Sequence, residues 1–273
     1  MSEQDVVDRS EAPLTVASLT EQLRACGLAH GQTIMAHVAM SRLGWVIGGA
    51  EAVILALIEA VGDDGTIVMV TNSSNNTDPA EWSHPPVPEQ WWQTIRDHTP
   101  AYDPRTTQTR GVGVVAELFR TWPGATRSPH PAFSLAALGK RADHITAEHP
   151  PGDEMGDRSP VGKVYELDGH VLLLGVDHSS NTSLHLAEAR AGYPGCHKVR
   201  TGSAMLVDGR REWVAYDGWE CDLDDFAEIG DAFNAECDIA PHRVGAAETR
   251  FFPQRAVVDF GVAWMRRHRR PLA

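Results

Sequence analysis

The chain has 273 residues, 42% of them hydrophobic and 22% charged, a composition that can build one large domain around a sizeable core. Its apolar runs are of strand length, well short of the ~20 residues that a membrane-spanning helix requires. With 37 acidic against 24 basic side chains the net charge is −13, which repels nucleic-acid phosphates and suits a cationic partner.

The N-terminal "MSEQDVVDRSEAP" is acidic and polar and has neither the basic nor the apolar region of a secretory leader, so the expectation is a cytoplasmic protein. "LTVASLTEQLRACGL" carries apolar residues at helical spacing and stops at Gly27. "QTIMAHV" reads as a strand, and a glycine pair, Gly48 and Gly49, then leads into the helix "AEAVILALIEAVG", closed by Gly62. After the strand "GTIVMV", residues 71–88 form a polar loop rich in Asn, Ser and Pro, long enough to suggest a function. "PEQWWQTIRDH" and "GVVAELFRTW" read as helices, and "FSLAALG" and "GHVLLLGV" as buried strands. "SAMLVDGRREWVAYD" is a hairpin turning at Asp208-Gly209. An acidic helix, "DDFAEIGDAFNAE", follows, and "QRAVVDFGVAWMRRHRR" ends the chain as a helix with a solvated basic end. This alternation predicts a layered α/β/α domain with a central mixed β-sheet, the hairpin supplying its antiparallel part. One domain over 1–273 is expected, with a small acceptor-binding subdomain around 196–245. Cys26, Cys196, Cys221 and Cys237 are scattered without a C-x-x-C pair and read as structural thiols.

The most informative stretch is "VLLLGVDHSSNTSLHLAEARAG". An apolar strand runs into a polar loop, and Asn181-Thr182-Ser183 can cap a helix starting at Ser183 or Leu184. His185 therefore sits in a first helical turn just outside the carboxyl end of a core strand, where open α/β sheets bind ligands. Three roles are open to it. His178, His185 and Glu188 could ligate a metal, although the H-E-x-x-H pattern is absent. Plain packing or capping is a second role, and a general base the third.

The segment resembles the strand–loop–helix block of the aminoglycoside 3-N-acetyltransferase family, antibiotic acetyltransferases outside the GNAT fold. Further blocks match in order: "HVAMSRLGWVIGGAEAVILAL" against the family's H-x-S-x-S-x-x-G segment, then "DPAEW", "YDPRTTQTRGVGVVAELFR", "RSPHPAFSLAALG" and "RSPVGKVYELDGHVLLLG". Ala39 stands where that first pattern has its first serine, so a hydrogen bond to the coenzyme arm is missing or comes from Ser41. The match loosens after Gly209. The Q/R-x-x-G-x-G/A pyrophosphate loop of GNAT enzymes is not found.

The resemblance implies transfer of acetyl from acetyl-CoA, without a metal, to the 3-amino group of the 2-deoxystreptamine ring of a polycationic aminoglycoside, conferring resistance. It assigns His185 as the base, with Glu220 as its orienting carboxylate in the loose alignment. Glu188 is the sequence-local rival for that place, although at i+3 it is expected to lean along its own helix. Thr182 could donate its hydroxyl to the thioester oxygen or the acceptor, or serve as a cap. Ser41, Gly44, Gly48 and Gly49 are implied as the coenzyme cradle, through backbone amides at a helix start. His37, in the same block, reads as structural. The acidic run 217–238, Asp217 and Asp222 above all, and Asp78 and Glu81 in the long loop, are candidates for holding the cationic acceptor. Two other classes compete: a metal-dependent amidohydrolase using His178, His185 and Glu188, and a protein that sequesters cationic antibiotics without turnover.

Overall fold

The computed structural model describes residues 3–193, 195–221 and 225–269. A short helix α1 (Glu3–Asp8) precedes α2 (Val16–Ala25), which starts in a reciprocal capping box between Thr15 and Ser18. Strand β1 (Thr33–Val38) leads through a 3₁₀ turn and the left-handed Gly48 into α3 (Gly49–Val61). Seven apolar side chains of α3 are buried, so tertiary packing rather than a single stripe holds it. Strand β2 (Thr66–Val70), α4 (Trp92–His98), α5 (Gly113–Phe119), β3 (Thr126–Arg127), β4 (Leu135–Gly139) and α6 (Ala142–Thr146) follow. Helix α7 (Pro160–Glu166) is capped by Ser159 and opened by Pro160, a pairing that suits a helix start because proline lacks the amide left orphaned there. Then come β5 (His170–Leu174), α8 (Ser183–Ala191), β6 (His197–Val207), β7 (Arg210–Glu220), α9 (Phe226–Glu236), β8 (His242–Val244), β9 (Ala247–Pro253) and α10 (Gln254–His268).

Seven strands form one sheet in the order β3-β4-β2-β1-β5-β9-β8. β1 runs parallel to both β2 and β5, whereas β4 and β9 run antiparallel to their neighbours. Alternate strand residues face opposite ways, as the pleat demands. Ile34, Ala36, Ile67, Met69, Leu172 and Leu174 pack against α2, α3 and α5. Met35, Val68, Val171 and Leu173 pack on the other face with side chains of α6 to α10. The expected three-layer α/β/α architecture is present.

The sheet is mixed for a different reason than the sequence suggests. The β6–β7 hairpin, with Asp208 and Gly209 both at positive φ in its turn, forms a separate two-stranded sheet. Asn76 docks it to the main body, its side chain bonded to both backbone groups of Ala204. Residues 226–244 return to that body, since β8 joins the main sheet edge. A distinct unit thus covers the hairpin and not the whole of 196–245. Cys196 and Cys221 are joined by a disulfide at the hairpin base, and only Cys26 and Cys237 are free thiols.

Candidate active site

The strand order reverses at β1: α3 carries the chain from β1 to β2 on one side, and β5 enters on the other. In such sheets the carboxyl ends of the parallel strands open a crevice. A cavity of about 460 Å³ lies there, lined by His37, Val38, Val70, Asn181 and the Gly111–Gly113 turn among others. A second cavity, of about 520 Å³, is lined by Phe133, Glu154, Met155, Glu188, Trp219 and Glu220. Three residues line both: Asn72, Thr182 and His185. Two chambers therefore meet at one histidine.

His185 is in the first turn of α8, as its sequence position predicts. Its Nδ1 lies 2.9 Å from Glu188 Oε2, and Phe226 meets the ring edge-on at 4.9 Å. Glu188 is buried, and Arg269 donates to its other oxygen at 2.6 Å. Arg269 also forms a two-bonded pair with Asp225. Burial works against the guanidinium charge, but these two carboxylates more than offset it and raise Arg269 above its ordinary range. The carboxylate that contacts His185 is thus Glu188 and not Glu220. The i+3 spacing brings the two side chains of one helix face together, and α10 covers that face instead of solvent. Glu220 is two-thirds exposed, 3.6 Å from His197, at the edge of the second cavity. The basic end of α10 is likewise not all solvated, because Arg269 turns inward and Arg266 bonds the carbonyls that end α8.

Thr182 occupies the N-cap position without a side-chain capping bond, and Asn181 accepts the Ser183 amide instead. Its hydroxyl is therefore available to both chambers. Asn72, just beyond β2, has a buried side-chain oxygen without a partner. His37, next to last in β1, lines the first chamber. Burial, and more weakly His178 and His185, hold it down at about 4, so it is neutral.

A third cavity continues from the first through Ala39, Val176, Ser179 and Ser180, and adds Arg9, Arg42 and Arg250. Asp177 and Glu248 line this groove beside the three arginines, and the expected coenzyme cradle lies outside it. Ser41 and Gly48 are exposed, and neither they nor Gly49 lines any of these three cavities. Gly48 and Gly49 serve the turn into α3, Gly44 borders a separate cavity, and the Ser41 carbonyl accepts a bond from Arg9. From the same block, Ala39 and Arg42 face the groove.

Of the expected acceptor contacts, Asp78, Glu81 and Asp217 do not line the second chamber; Glu220, expected as the histidine's carboxylate, does. Asp78 is engaged by Arg96 through two bonds and caps a 3₁₀ turn at Ala80, and Asp217 pairs with Arg200 at 3.0 Å. Glu81 lies off the lining; desolvation raises its carboxyl, and Asp78 and Glu220 add to this. Asp222 falls outside the described residues.

His178 is buried, stacked on Phe252, with Nε2 on Asn234 and Nδ1 on Asn181. Both nitrogens are occupied, which removes it from the ligand set of a metal hydrolase. No group of three potential ligands converges among the described residues. Asn72, Glu154 and Arg269 went unnoticed in the sequence. For Asn72 the signal was a polar residue directly after a core strand; for Arg269, an arginine ending a helix; for Glu154 there was none.

The sequence and the fold that build this site are similar to those of known proteins. The sequence profile described as aminoglycoside 3-N-acetyltransferase matches residues 35–266. The aminoglycoside N(3')-acetyltransferase-like protein YokD of Bacillus subtilis is 44% identical over 95% of both chains. Aminoglycoside N(3)-acetyltransferase VII of Streptomyces paromomycinus is 39% identical over 97% of this chain and 96% of its own. The YokD crystal structure superposes with a TM-score of 0.94, over 97% of this chain and 98% of that one, at 42% identity. AAC-IIIb, solved as a binary complex with CoASH, gives 0.84 at 32% identity, over 96% of this chain and all of its own. AAC-VIa bound to sisomicin also gives 0.84, at 31% identity over 93% and 98%. By sequence and by fold, this chain belongs to the aminoglycoside 3-N-acetyltransferase family.

Proposed function

We propose that this acyltransferase moves the acetyl group of acetyl-CoA directly to the 3-amino group of the 2-deoxystreptamine ring of an aminoglycoside, with His185 as general base. The observation that carries this reading is the meeting of two chambers at His185, one opening into a groove with three arginines beside Asp177 and Glu248, and the other lined by three carboxylates. Arginines in the groove suit the coenzyme's phosphates, and the narrow chamber beyond suits an extended arm ending at the histidine. Glu154, Glu188 and Glu220 give the other chamber the charge a polycation needs. CoASH in AAC-IIIb and sisomicin in AAC-VIa support the two ligand classes.

Acetyl-CoA supplies the acetyl group as a thioester. The acceptor must first shed its ammonium proton to solvent, because only the neutral amine attacks. Glu188 holds the Nδ1 proton of His185, which leaves Nε2 as the basic atom. Nε2 takes the proton released as the C–N bond forms and passes it to sulfur as the C–S bond breaks, so the histidine ends neutral. Thr182 and the Asn72 side-chain amide line both chambers beside His185 and would donate to the acyl oxygen as charge develops on it. An acetylated nitrogen no longer carries a charge, which accounts for resistance.

We read the chain as one domain, with the hairpin as an acceptor-side appendage. No helix among the described residues is long and apolar enough to cross a membrane; the cytoplasm, where acetyl-CoA is made, is the compartment we assign. The test is release of free thiol from acetyl-CoA across a panel of aminoglycosides, followed by mapping of the acetylated nitrogen. Steady release with acetylation at N3 is expected; binding without release would overturn the reading in favour of sequestration.

A further inference from the structure

The second chamber holds a carboxyl group that takes no part in the proton transfers above. Glu154 lies on the loop between α6 and α7, is 8% exposed, and lines the chamber with His185, Thr182, Trp219 and Glu220. Its Oε2 is buried and has no hydrogen-bond partner.

The surrounding chain holds this side chain in place. The Glu154 carbonyl accepts a 2.6 Å bond from His149 Nε2, and Ser128 bonds the other nitrogen of that ring at 2.9 Å. On the opposite side, β7 presents bare backbone. A Cβ at Gly218 would come within 2.7 Å of Glu154 Oε1, and one at Gly152 within 2.7 Å of the Asp217 carbonyl. Loop and strand therefore interlock at two glycines, and the carboxyl sits in the slot they leave. A buried carboxyl without a counter-charge is costly. Burial raises Glu154 above the ordinary carboxylate range, opposed more weakly by backbone amides and by Lys198. Lys198 itself sits over the Trp219 ring, at 5.1 Å.

We infer that Glu154 anchors a second ammonium group of the acceptor, distinct from the amine being acetylated, and so decides which polyamino sugars bind productively. This rests on the acetyl-transfer reading above. An ammonium satisfies both the orphaned oxygen and the charge, whereas a hydroxyl satisfies only the first. Trp219, 43% exposed beside the slot, offers a flat apolar face to the sugar ring that carries the ammonium.

The experiment is steady-state kinetics of Glu154→Gln, an isosteric change, over aminoglycosides that differ by a single amine replaced with hydroxyl. For acceptors carrying the contacted amine, KM should rise roughly 10–100-fold, the scale of one charge-assisted hydrogen bond. Turnover and the KM for acetyl-CoA should stay within about twofold, and the penalty should vanish for the one analogue that lacks that amine. An unchanged KM for every acceptor overturns the proposal, and so does an equal penalty on every analogue, which would mark a merely structural role. Gly218→Ala, which crowds the carboxyl without removing it, should raise the same KM and decides the matter if the Gln variant does not fold. If the wild-type protein releases no thiol with any aminoglycoside, the transfer reading fails. Calorimetric binding of the same panel to both proteins then decides the anchor separately: selective loss in the variant keeps it, equal affinity ends it.

Discussion

His185 can act as a base only if its ring is held in one tautomer, and three residues bear on that. His185→Ala should lower kcat by roughly 10²–10⁴-fold with both substrates still binding. Glu188→Gln should also lower kcat, by up to about 10⁴-fold, because an amide can neither fix the Nδ1 proton nor stabilise the imidazolium. Glu220→Gln should leave kcat near wild type and act on the acceptor KM, since its carboxylate is solvated at the chamber edge. Equal kcat losses in the Glu188 and Glu220 variants would contradict the dyad read here. High pH should partly restore His185→Ala by supplying more neutral amine. The His–Glu pair was written in the sequence at i+3, yet local geometry alone leaves such a carboxylate in water. Only the packing of α10 over α8, with Arg269 reaching Glu188, makes it a buried partner.

At the scale of elements, the turn before α3 and the groove beside it separate two accounts of coenzyme binding. Gly49 has φ of +59° with no protein atom within 4 Å of an added Cβ and lines none of the three joined cavities, so a bulky side chain there strains the backbone by about 1–3 kcal/mol. Gly49→Leu should lower the melting temperature and leave the KM for acetyl-CoA unchanged. Arg42→Ala should instead raise that KM about tenfold, the value of one bond to a charged group. A coenzyme KM that moved only with Gly49 would restore the helix-start cradle. Helices α2, α3, α9 and α10 were legible because their apolar spacing is helical and long. β9 was not, because "AETRFFP" mixes charged and aromatic residues and gains its strand character only by pairing with β5. Helix α7 was missed for want of length, although Ser159-Pro160 is a good start signal.

Over the whole molecule, buried neutral histidines couple stability to pH. His37 and His149 are each held at about 4, and His130 well below its ordinary 6.5, in every case chiefly by burial. The unfolded chain takes up these protons from about pH 6.5 downward while the folded chain resists, so it binds more protons and gains. Stability should therefore be full above pH 6.5 and fall toward pH 4, by up to about 1.4 kcal/mol per pH unit for each histidine. Urea unfolding at pH 7, 6 and 5 measures this; a flat profile would mean that the three rings are solvated in the folded state. What the sequence determined by itself was the layered α/β class, the family, and His185 at the mouth of a core strand, because periodicity, capping and motif order are local properties. The tertiary structure alone decided that Glu188 and not Glu220 faces the histidine, that Ala39 and Arg42 rather than the glycines face the groove, and that Glu154 enters the second chamber. Those outcomes depend on which distant helix or strand covers each residue, and burial of that kind is set by the packed whole.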